Sequence, residues 1–264
     1  MRTVFRAFRI LLLLIVFIAI AFYTKSQKLK SRSWSEPLQV IIYPINGDDS
    51  QNVEDYIDQL SSNTFSKIDQ FLQHQARLYD LDIQQPTDTK LGQSMQKHPP
   101  TSLPPGSNFA ETAWWGIKFR YWAYKNTPDE KPNIRRVRIF VHYHETEEGK
   151  KLQHSLGLDK GLIAIVHAFA STDQEQQNNI VITHELLHTV GAYDKYNTQN
   201  QPIFPYGYAA PLQAPLFPQS HAEIMAAKIP LSSTHSKMAA SLDQCIIGEK
   251  TAEEINWLKS DTDN

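Results

Sequence analysis

The stretch IVITHELLHTVGAYD, which ends at Asp194, constrains the fold of this chain more than any other feature. His184 and His188 are four residues apart, so on a helix their rings project from the same face, one turn apart. Gly191 can adopt a left-handed backbone conformation, which ends the helix and turns the chain sharply. That turn returns Asp194 towards the two rings. The pattern therefore predicts a helix and a tight turn that gather two imidazoles and one carboxylate.

The gathered side chains suit a zinc ion. Two neutral imidazoles and a carboxylate bind Zn²⁺ at about 2.0–2.2 Å and leave a fourth position for water. Glu185 directly follows the first histidine, which places its carboxylate beside the metal but outside the coordination shell. A carboxylate in that place can take a proton from zinc-bound water and pass it to a leaving amine. The residues thus indicate metal-assisted hydrolysis, with Glu185 as the catalytic base.

The length of the pattern argues against a coincidence. In a chain of this composition, His-Glu-x-x-His arises by chance in roughly 2% of cases. The further requirement for glycine three residues after the second histidine and for aspartate three residues after that lowers the frequency to about 4 in 100,000. The eleven-residue pattern is therefore a strong signal, whereas its five-residue core alone is only suggestive.

Composition narrows the chemistry further. Cys245 is the only cysteine of the 264 residues, so neither an internal disulfide nor a cysteine-rich zinc cluster is available. Any metal site must therefore use histidine and carboxylate ligands. The formal charge of -2 gives no general argument for nucleic-acid binding, which needs a concentrated basic face. We expect no nucleic-acid partner.

The segment HELLHTVGAYD, from His184 to Asp194, resembles the long zinc-binding consensus of the metzincin metallopeptidases. The variant is the one with Asp where most members have a third His, as in snapalysin-type enzymes. Metzincins also have a methionine in a tight turn beneath the zinc, and HAEIMA, which contains Met225, is similar to it. By motif, the resemblance spans residues 160–230. It implies zinc bound by His184, His188 and Asp194, with Met225 as a supporting residue.

The resemblance also implies an α/β fold, in which helices pack on a twisted, mostly parallel sheet and a smaller irregular and helical C-terminal subdomain follows. The order of predicted elements agrees, because strand-like and helix-like segments alternate from residue 38 to the zinc helix. We place the domain at 38–264, with an upper subdomain at 38–191 and a lower one at 192–264. The implied function is a zinc-dependent metalloendopeptidase that acts on peptides or proteins.

Two features leave alternatives open. Metzincins often have a tyrosine two residues after the turn methionine, where it assists the transition state, but this chain has Ala227 there. Tyr206 and Tyr208 are only weak candidates for that role. The alternative function is a catalytically silent, zinc-bearing envelope protein that binds partners.

The third ligand is the second open point. Aspartate is rarer than histidine in that place among metzincins, so His221 is the runner-up to Asp194. Two acidic residues, Asp173 and Glu223, are less favoured. A structure that shows which side chain joins the two histidines decides between them.

Hydrophobic patterns predict the main elements of the domain. A buried strand is predicted at 38–45, and residues 86–108, with five prolines, are predicted to be loop. Residues 135–144 alternate as a half-buried strand, on which we interpret His142 and His144 as solvated residues. A more continuously apolar run at 162–170 predicts an interior strand. Helices are also predicted at three aromatic-rich or C-terminal segments: 113–124, 232–241 and 251–259.

The N-terminal segment is unlike the rest. Residues 10–23 form an unbroken apolar run of fourteen residues preceded by three arginines. A spanning helix needs roughly 20, and extension back to residue 4 supplies the length if arginine side chains snorkel to the headgroups. We predict an anchor, or uncleaved signal, at 1–23 that holds the chain to a membrane through residues 4–23. A cleaved signal peptide, followed by secretion, is the alternative.

The flanks of this run indicate where the domain lies. Residues 24–37 are polar and basic and are predicted to form a short stalk. A short N-terminal tail followed by a large domain usually means that the domain is exported. The chain has no Asn-x-Ser/Thr acceptor, which favours a bacterial envelope over a glycosylating pathway. We expect a single-pass membrane protein whose domain lies on the periplasmic or extracytoplasmic side.

Overall fold

A computed structural model describes residues 2–101, 106–127, 136–146, 155–158 and 161–259. Within these residues the chain is a mixed α/β protein with six α-helices and nine short or medium strands. In chain order the elements are α1 (Arg2–Ser31), β1 (Leu38–Asn46), α2 (Gln51–Gln59), α3 (Ser66–Leu78), β2 (Thr87–Leu91), α4 (Phe109–Asn126), β3 (Arg136–His144), β4 (Leu156–Leu158), β5 (Ile163–Phe169), α5 (Glu175–Thr189), β6 (Ala222–Glu223), β7 (Lys228–Pro230), β8 (Ser236–Met238), β9 (Cys245–Ile246) and α6 (Glu249–Glu254).

Five strands build one sheet in the order β2-β1-β3-β5-β4. β1 pairs in parallel with both β2 and β3, and β3 pairs in parallel with β5. β4 is the exception, because it runs antiparallel along the edge of β5. The sheet is therefore mostly parallel, as the sequence predicts.

Helices cover both faces of this sheet. α2, α3 and α5 pack on one face over the apolar residues of β1, β3 and β5, among them Val40, Ile139 and Val166. α4 covers part of the other face, where Trp115 and Phe119 pack against strand residues such as Phe140. Burial on both faces explains why the central strands have long apolar runs.

Two predictions in the first half of the chain need correction. Part of the predicted loop 86–108 forms β2, whose Thr87 and Thr89 hydroxyls each donate to the Asp69 carboxylate at 2.6 Å. His142 and His144 are not on a solvated face, since both side chains are largely buried at the carboxyl end of β3. The alternation in the sequence puts the two histidines on the same face of the strand, but it does not show that other residues cover that face.

The C-terminal region differs from its prediction as well. Residues 232–241, predicted as helix, contain β8, which pairs antiparallel with β7. The Ser232 hydroxyl accepts hydrogen bonds from the backbone N–H groups of Thr234 and His235, and such local bonds compete with a helix. In the predicted helix 251–259, α6 ends at Glu254 and turns follow. Strand pairs, turns and one short helix therefore make up this region.

The N-terminal segment forms one continuous helix, α1, of which Phe8–Ser31 is long and apolar enough to cross a membrane by length and composition. The predicted stalk at 24–37 is helical up to Ser31, and Gln27 and Ser31 are buried. Trp34 follows, and its indole N–H donates to the Ile255 carbonyl oxygen at 2.6 Å. Its ring also meets the Trp257 ring edge-on at 5.5 Å between centroids. The segment after the apolar run is therefore packed onto the domain.

These contacts predict that Trp34 stabilises the domain. Trp34→Ala removes a buried indole and a buried hydrogen bond, so we expect the free energy of unfolding to fall by about 3 kcal/mol. Urea denaturation of the full chain in detergent measures the change. Trp114→Ala is the matched control, because Trp114 is 61% exposed on α4 and its loss should cost about 0.5 kcal/mol or less. Equal effects of the two substitutions contradict the prediction.

Candidate metal centre

Helix α5 carries three residues of the predicted site: His184, Glu185 and His188. Ten of its fifteen residues are buried, including His184 and Glu185, because it lies between the sheet and the C-terminal region. The helix ends as predicted, since Gly191 has φ +108° and its N–H donates to the His188 carbonyl oxygen. A Cβ at Gly191 would also overlap the guanidinium of Arg32, which fills the space beside the turn. Glycine is thus required by backbone and packing together.

Three ligand atoms converge beyond this turn. The Asp194 Oδ1 atom lies 3.1 Å from His184 Nε2 and 3.0 Å from His188 Nε2. The two Nε2 atoms are 3.1 Å from each other. A tetrahedral zinc ion with bonds of about 2.0–2.1 Å separates its ligand atoms by about 3.3 Å. The triangle therefore has close to the dimensions that a metal ion needs.

The hydrogen bond made by Nδ1 of each ring indicates whether its Nε2 atom can bind a metal. His184 Nδ1 lies 3.1 Å from the Ile224 carbonyl oxygen, and His188 Nδ1 lies 2.8 Å from that of Ala192. A carbonyl oxygen only accepts, so both Nδ1 atoms carry the proton and donate. When both rings are neutral, the two Nε2 atoms present lone pairs to each other and to a carboxylate oxygen. A cation relieves that repulsion, so the donor set fits a metal ion such as zinc.

Glu185 lies beside the triangle and is buried at the sheet edge. The backbone N–H of Gly157, in β4, donates to its carboxylate, while Oε2 has no hydrogen-bond partner in the part of the chain that the structure describes. Burial raises the pKa of the Glu185 carboxyl above its ordinary value, and the two imidazoles partly oppose that rise. His184, Glu185 and His188 together form a cluster that could hold a metal ion.

The predicted methionine lies in a tight turn beneath this cluster. Met225 is fully buried, and the turn is closed by the Ala226 N–H, which donates to the Glu223 carbonyl oxygen at 2.9 Å. The preceding residue, Ile224, supplies the carbonyl that orients the His184 ring. The turn therefore acts on the site through the backbone as well as by packing.

The weaker ligand candidates have other roles or positions. The Glu223 carboxylate is buried and accepts from the Met225 and Gly248 N–H groups and from the Thr251 hydroxyl at 2.6–3.2 Å. It fixes the turn and does not join the triangle. His221 is exposed, and its ring pairs with the Ser220 hydroxyl. Asp173 is also exposed, in the short turn before α5.

A cleft of about 260 Å³ opens beside the cluster. Its walls come from the sheet and α5 on one side and from the C-terminal region on the other: Ser155, His167, Val181, His184, Glu185, Tyr196, Asn200, Ala226, Ala227 and Lys228. Ala227 lies in this wall, so the side chain that faces the cleft at this place is a methyl group. Tyr206 and Tyr208 line a different cavity, between the proline-rich loop and α6.

Tyr196 is a site residue that the sequence analysis missed. Its ring stacks on the His184 ring at 6.1 Å between centroids, and it lines the cleft. Burial, together with the carboxylates of Asp194 and Glu185, raises the pKa of its hydroxyl, which therefore stays protonated. The only available signal was its place two residues after Asp194.

Comparison with known proteins adds no assignment: no protein-family model matches the chain, and no curated protein is significantly similar to it. The geometry of the site therefore carries the functional argument.

The triangle predicts how substitutions change metal content. We expect about one zinc ion per chain in the wild type and none at stoichiometric level in His184→Ala. Asp194→Ala should weaken binding more than about 100-fold, since the loss of groups that only orient a ligand already costs about 10–100-fold. His221→Ala is the matched control and should keep full content. Elemental analysis after dialysis measures all four proteins, and loss of zinc in His221→Ala with retention in Asp194→Ala contradicts the ligand set.

Proposed function

We propose that the chain is a zinc-dependent metalloendopeptidase of the metzincin type. The observation that carries the proposal is the meeting of three candidate ligand atoms, from His184, His188 and Asp194, beside the buried Glu185 carboxylate, whose Oε2 has no hydrogen-bond partner among the described residues. Two neutral imidazoles and one carboxylate leave an open position, which is typical of catalytic rather than structural zinc sites. Met225, in its tight turn under His184, supports the metzincin resemblance.

The residues of the cleft take complementary roles in this proposal. When bound, zinc lowers the pKa of a coordinated water to about 7 and polarises a substrate carbonyl. Glu185 accepts the proton of the attacking water and returns it to the leaving amine. Its burial favours this exchange, because a raised pKa brings the carboxyl closer to the working pH. Tyr196 donates a hydrogen bond to the carbonyl oxygen as negative charge develops there.

The two sides of the cleft support the predicted division into subdomains. Residues of 38–191 contribute one wall, with Ser155, His167 and Glu185, and residues of 192–264 contribute the other, with Asn200 and Lys228. A peptide bound between them in an extended conformation lies across the ligand triangle. Substrates are accordingly peptides or exposed protein segments that fit a narrow cleft.

The N-terminal helix determines where this activity takes place. α1 is proposed as a membrane anchor, with the domain on the periplasmic or extracytoplasmic side. Trp34 and Ser31 are buried against the domain, so the anchor leads directly into the fold without a free stalk. A cleaved signal would leave this docked segment in place, since the apolar run ends before it. The catalytic domain is therefore complete in the anchored and in the secreted form.

Glu185→Gln tests the proposed chemistry. The amide cannot take the proton of the attacking water, so we expect kcat to fall by about 10²–10⁴-fold with zinc content unchanged. The assay is hydrolysis of a quenched casein substrate by the full chain in detergent, with and without chelator. Unchanged hydrolysis in the variant contradicts the mechanism. A wild type that binds zinc but cleaves nothing supports the catalytically silent alternative.

Gly157→Ala tests how closely β4 covers the base. A Cβ at Gly157 would lie 2.5 Å from the Glu185 carbonyl oxygen and 2.6 Å from His188 Cβ, so the strand or the helix must move. Displacement of catalytic groups by about 1 Å can cost about 100-fold, and we expect a loss of that size in kcat/KM. Gly116→Ala on α4 is the matched control, because its nearest neighbour would lie 3.5 Å away. Equal activity of the two variants contradicts the close packing of β4 against Glu185.

A further inference from the structure

A chain of hydrogen bonds runs from the loop after β1 to the cleft. Asp48 Oδ1 lies 2.7 Å from His144 Nδ1, and His144 Nε2 lies 3.0 Å from His167 Nδ1. Asp48 is itself fixed, because the Glu145 N–H donates to its other oxygen at 2.7 Å. His167 is 7% exposed and lines the cleft with His184 and Glu185. The chain thus ends at the wall of the proposed active site.

The Asp48 carboxylate sets the order of donors along this chain. An ionised carboxylate only accepts, so His144 Nδ1 must carry a proton and donate to Asp48. When His144 is neutral, its Nε2 is an acceptor, and His167 Nδ1 donates to it. His167 Nε2 is then left without a proton. Burial lowers the pKa of His167 to about 4, and the nearby His144 contributes to this shift, so the His167 ring is neutral at pH 7.

The last atom of the chain lacks a partner. His167 Nε2 is buried and makes no hydrogen bond within the described residues. A buried acceptor without a donor is costly, and a bound ligand that supplies the donor recovers that cost. His184 and His188 have the same arrangement, with Nδ1 tied to an acceptor and Nε2 left as a lone pair. The triangle of those two rings accounts for their lone pairs, whereas nothing described accounts for that of His167.

We propose that His167 is a substrate-binding residue of the cleft, whose Nε2 accepts a hydrogen bond from a backbone N–H of the bound peptide. Asp48 and His144 act as positioning residues, because they hold the ring in the tautomer that accepts. A backbone N–H is the donor that every peptide offers, so the contact fixes the position of the chain rather than its side-chain sequence. This inference rests on the proposed peptidase function.

The decisive experiment pairs protein variants with substrate variants. The parent is a synthetic peptide that the wild-type full chain cleaves, and the analogues replace one backbone N–H at a time by an ester oxygen, away from the scissile bond. We expect one analogue to lose about tenfold in kcat/KM with wild type, through a higher KM, as expected for one hydrogen bond. His167→Phe, which keeps an aromatic ring, should show the same loss for the parent peptide and no further loss for that analogue.

Asp48→Asn separates positioning from packing. Its amide can donate to His144, which reverses the chain and puts a proton on His167 Nε2, so the tenfold selectivity for the parent peptide should vanish. Asp49→Asn is the matched control, because Asp49 lies next in sequence and its side chain is 87% exposed. Nitrogen-15 NMR of the histidine rings reads the tautomers directly, and we expect an unprotonated Nε2 at His167 in wild type and in Asp49→Asn.

Each outcome bears on a different claim. A wild-type chain that cleaves no peptide contradicts the proposed function. Cleavage of the parent peptide without any ester-sensitive position, or with the same sensitivity in wild type and His167→Phe, contradicts only the assignment of His167. A protonated His167 Nε2 in the wild-type NMR spectrum overturns the assignment whatever the activity.

Discussion

The site depends on two hydrogen bonds that each join an imidazole Nδ1 to a backbone carbonyl oxygen. His184 donates to Ile224, in the turn of the C-terminal region, and His188 donates to Ala192, in the loop after α5. These bonds set the tautomers of the neutral rings, so two lone pairs meet at Asp194, and a metal cation makes that arrangement favourable. The candidate metal site is therefore not a property of the helix alone, since the ring of His184 is set by a turn forty residues further along the chain.

The sequence predicts the parts of the fold in which local pattern and burial agree. β1, β3 and β5 have apolar runs because helices cover both faces of the sheet, and the runs predict them. β2 was missed because it follows Pro86 in a proline-rich segment and because its threonines are held by Asp69, a contact from α3 that no local pattern reveals. Residues 232–241 were wrongly predicted as helix, because helical periodicity does not register the hydrogen bonds that Ser232 accepts from its own neighbours.

The same division holds for the candidate site. His184, His188, Gly191 and Asp194 follow from spacing, since one helix and one turn bring them together. Other parts of the site are fixed by contacts between distant segments, which residue spacing cannot predict. These contacts are Gly157 over Glu185, Glu223 under the Met225 turn, Tyr196 against His184, and the chain of hydrogen bonds from Asp48 to His167. His142 and His144 show the limit most clearly, because alternation alone made a buried histidine face look solvated.

X-ray absorption at the zinc edge of the purified full chain tests the central claim most directly. The account predicts two imidazole nitrogens, with carboxylate and water oxygens completing a four-coordinate shell at about 2.0–2.2 Å. The spectrum should lose one oxygen scatterer in Asp194→Ala and stay unchanged in His221→Ala. A shell with three imidazoles, a shell with sulfur, or the absence of bound zinc would contradict the account.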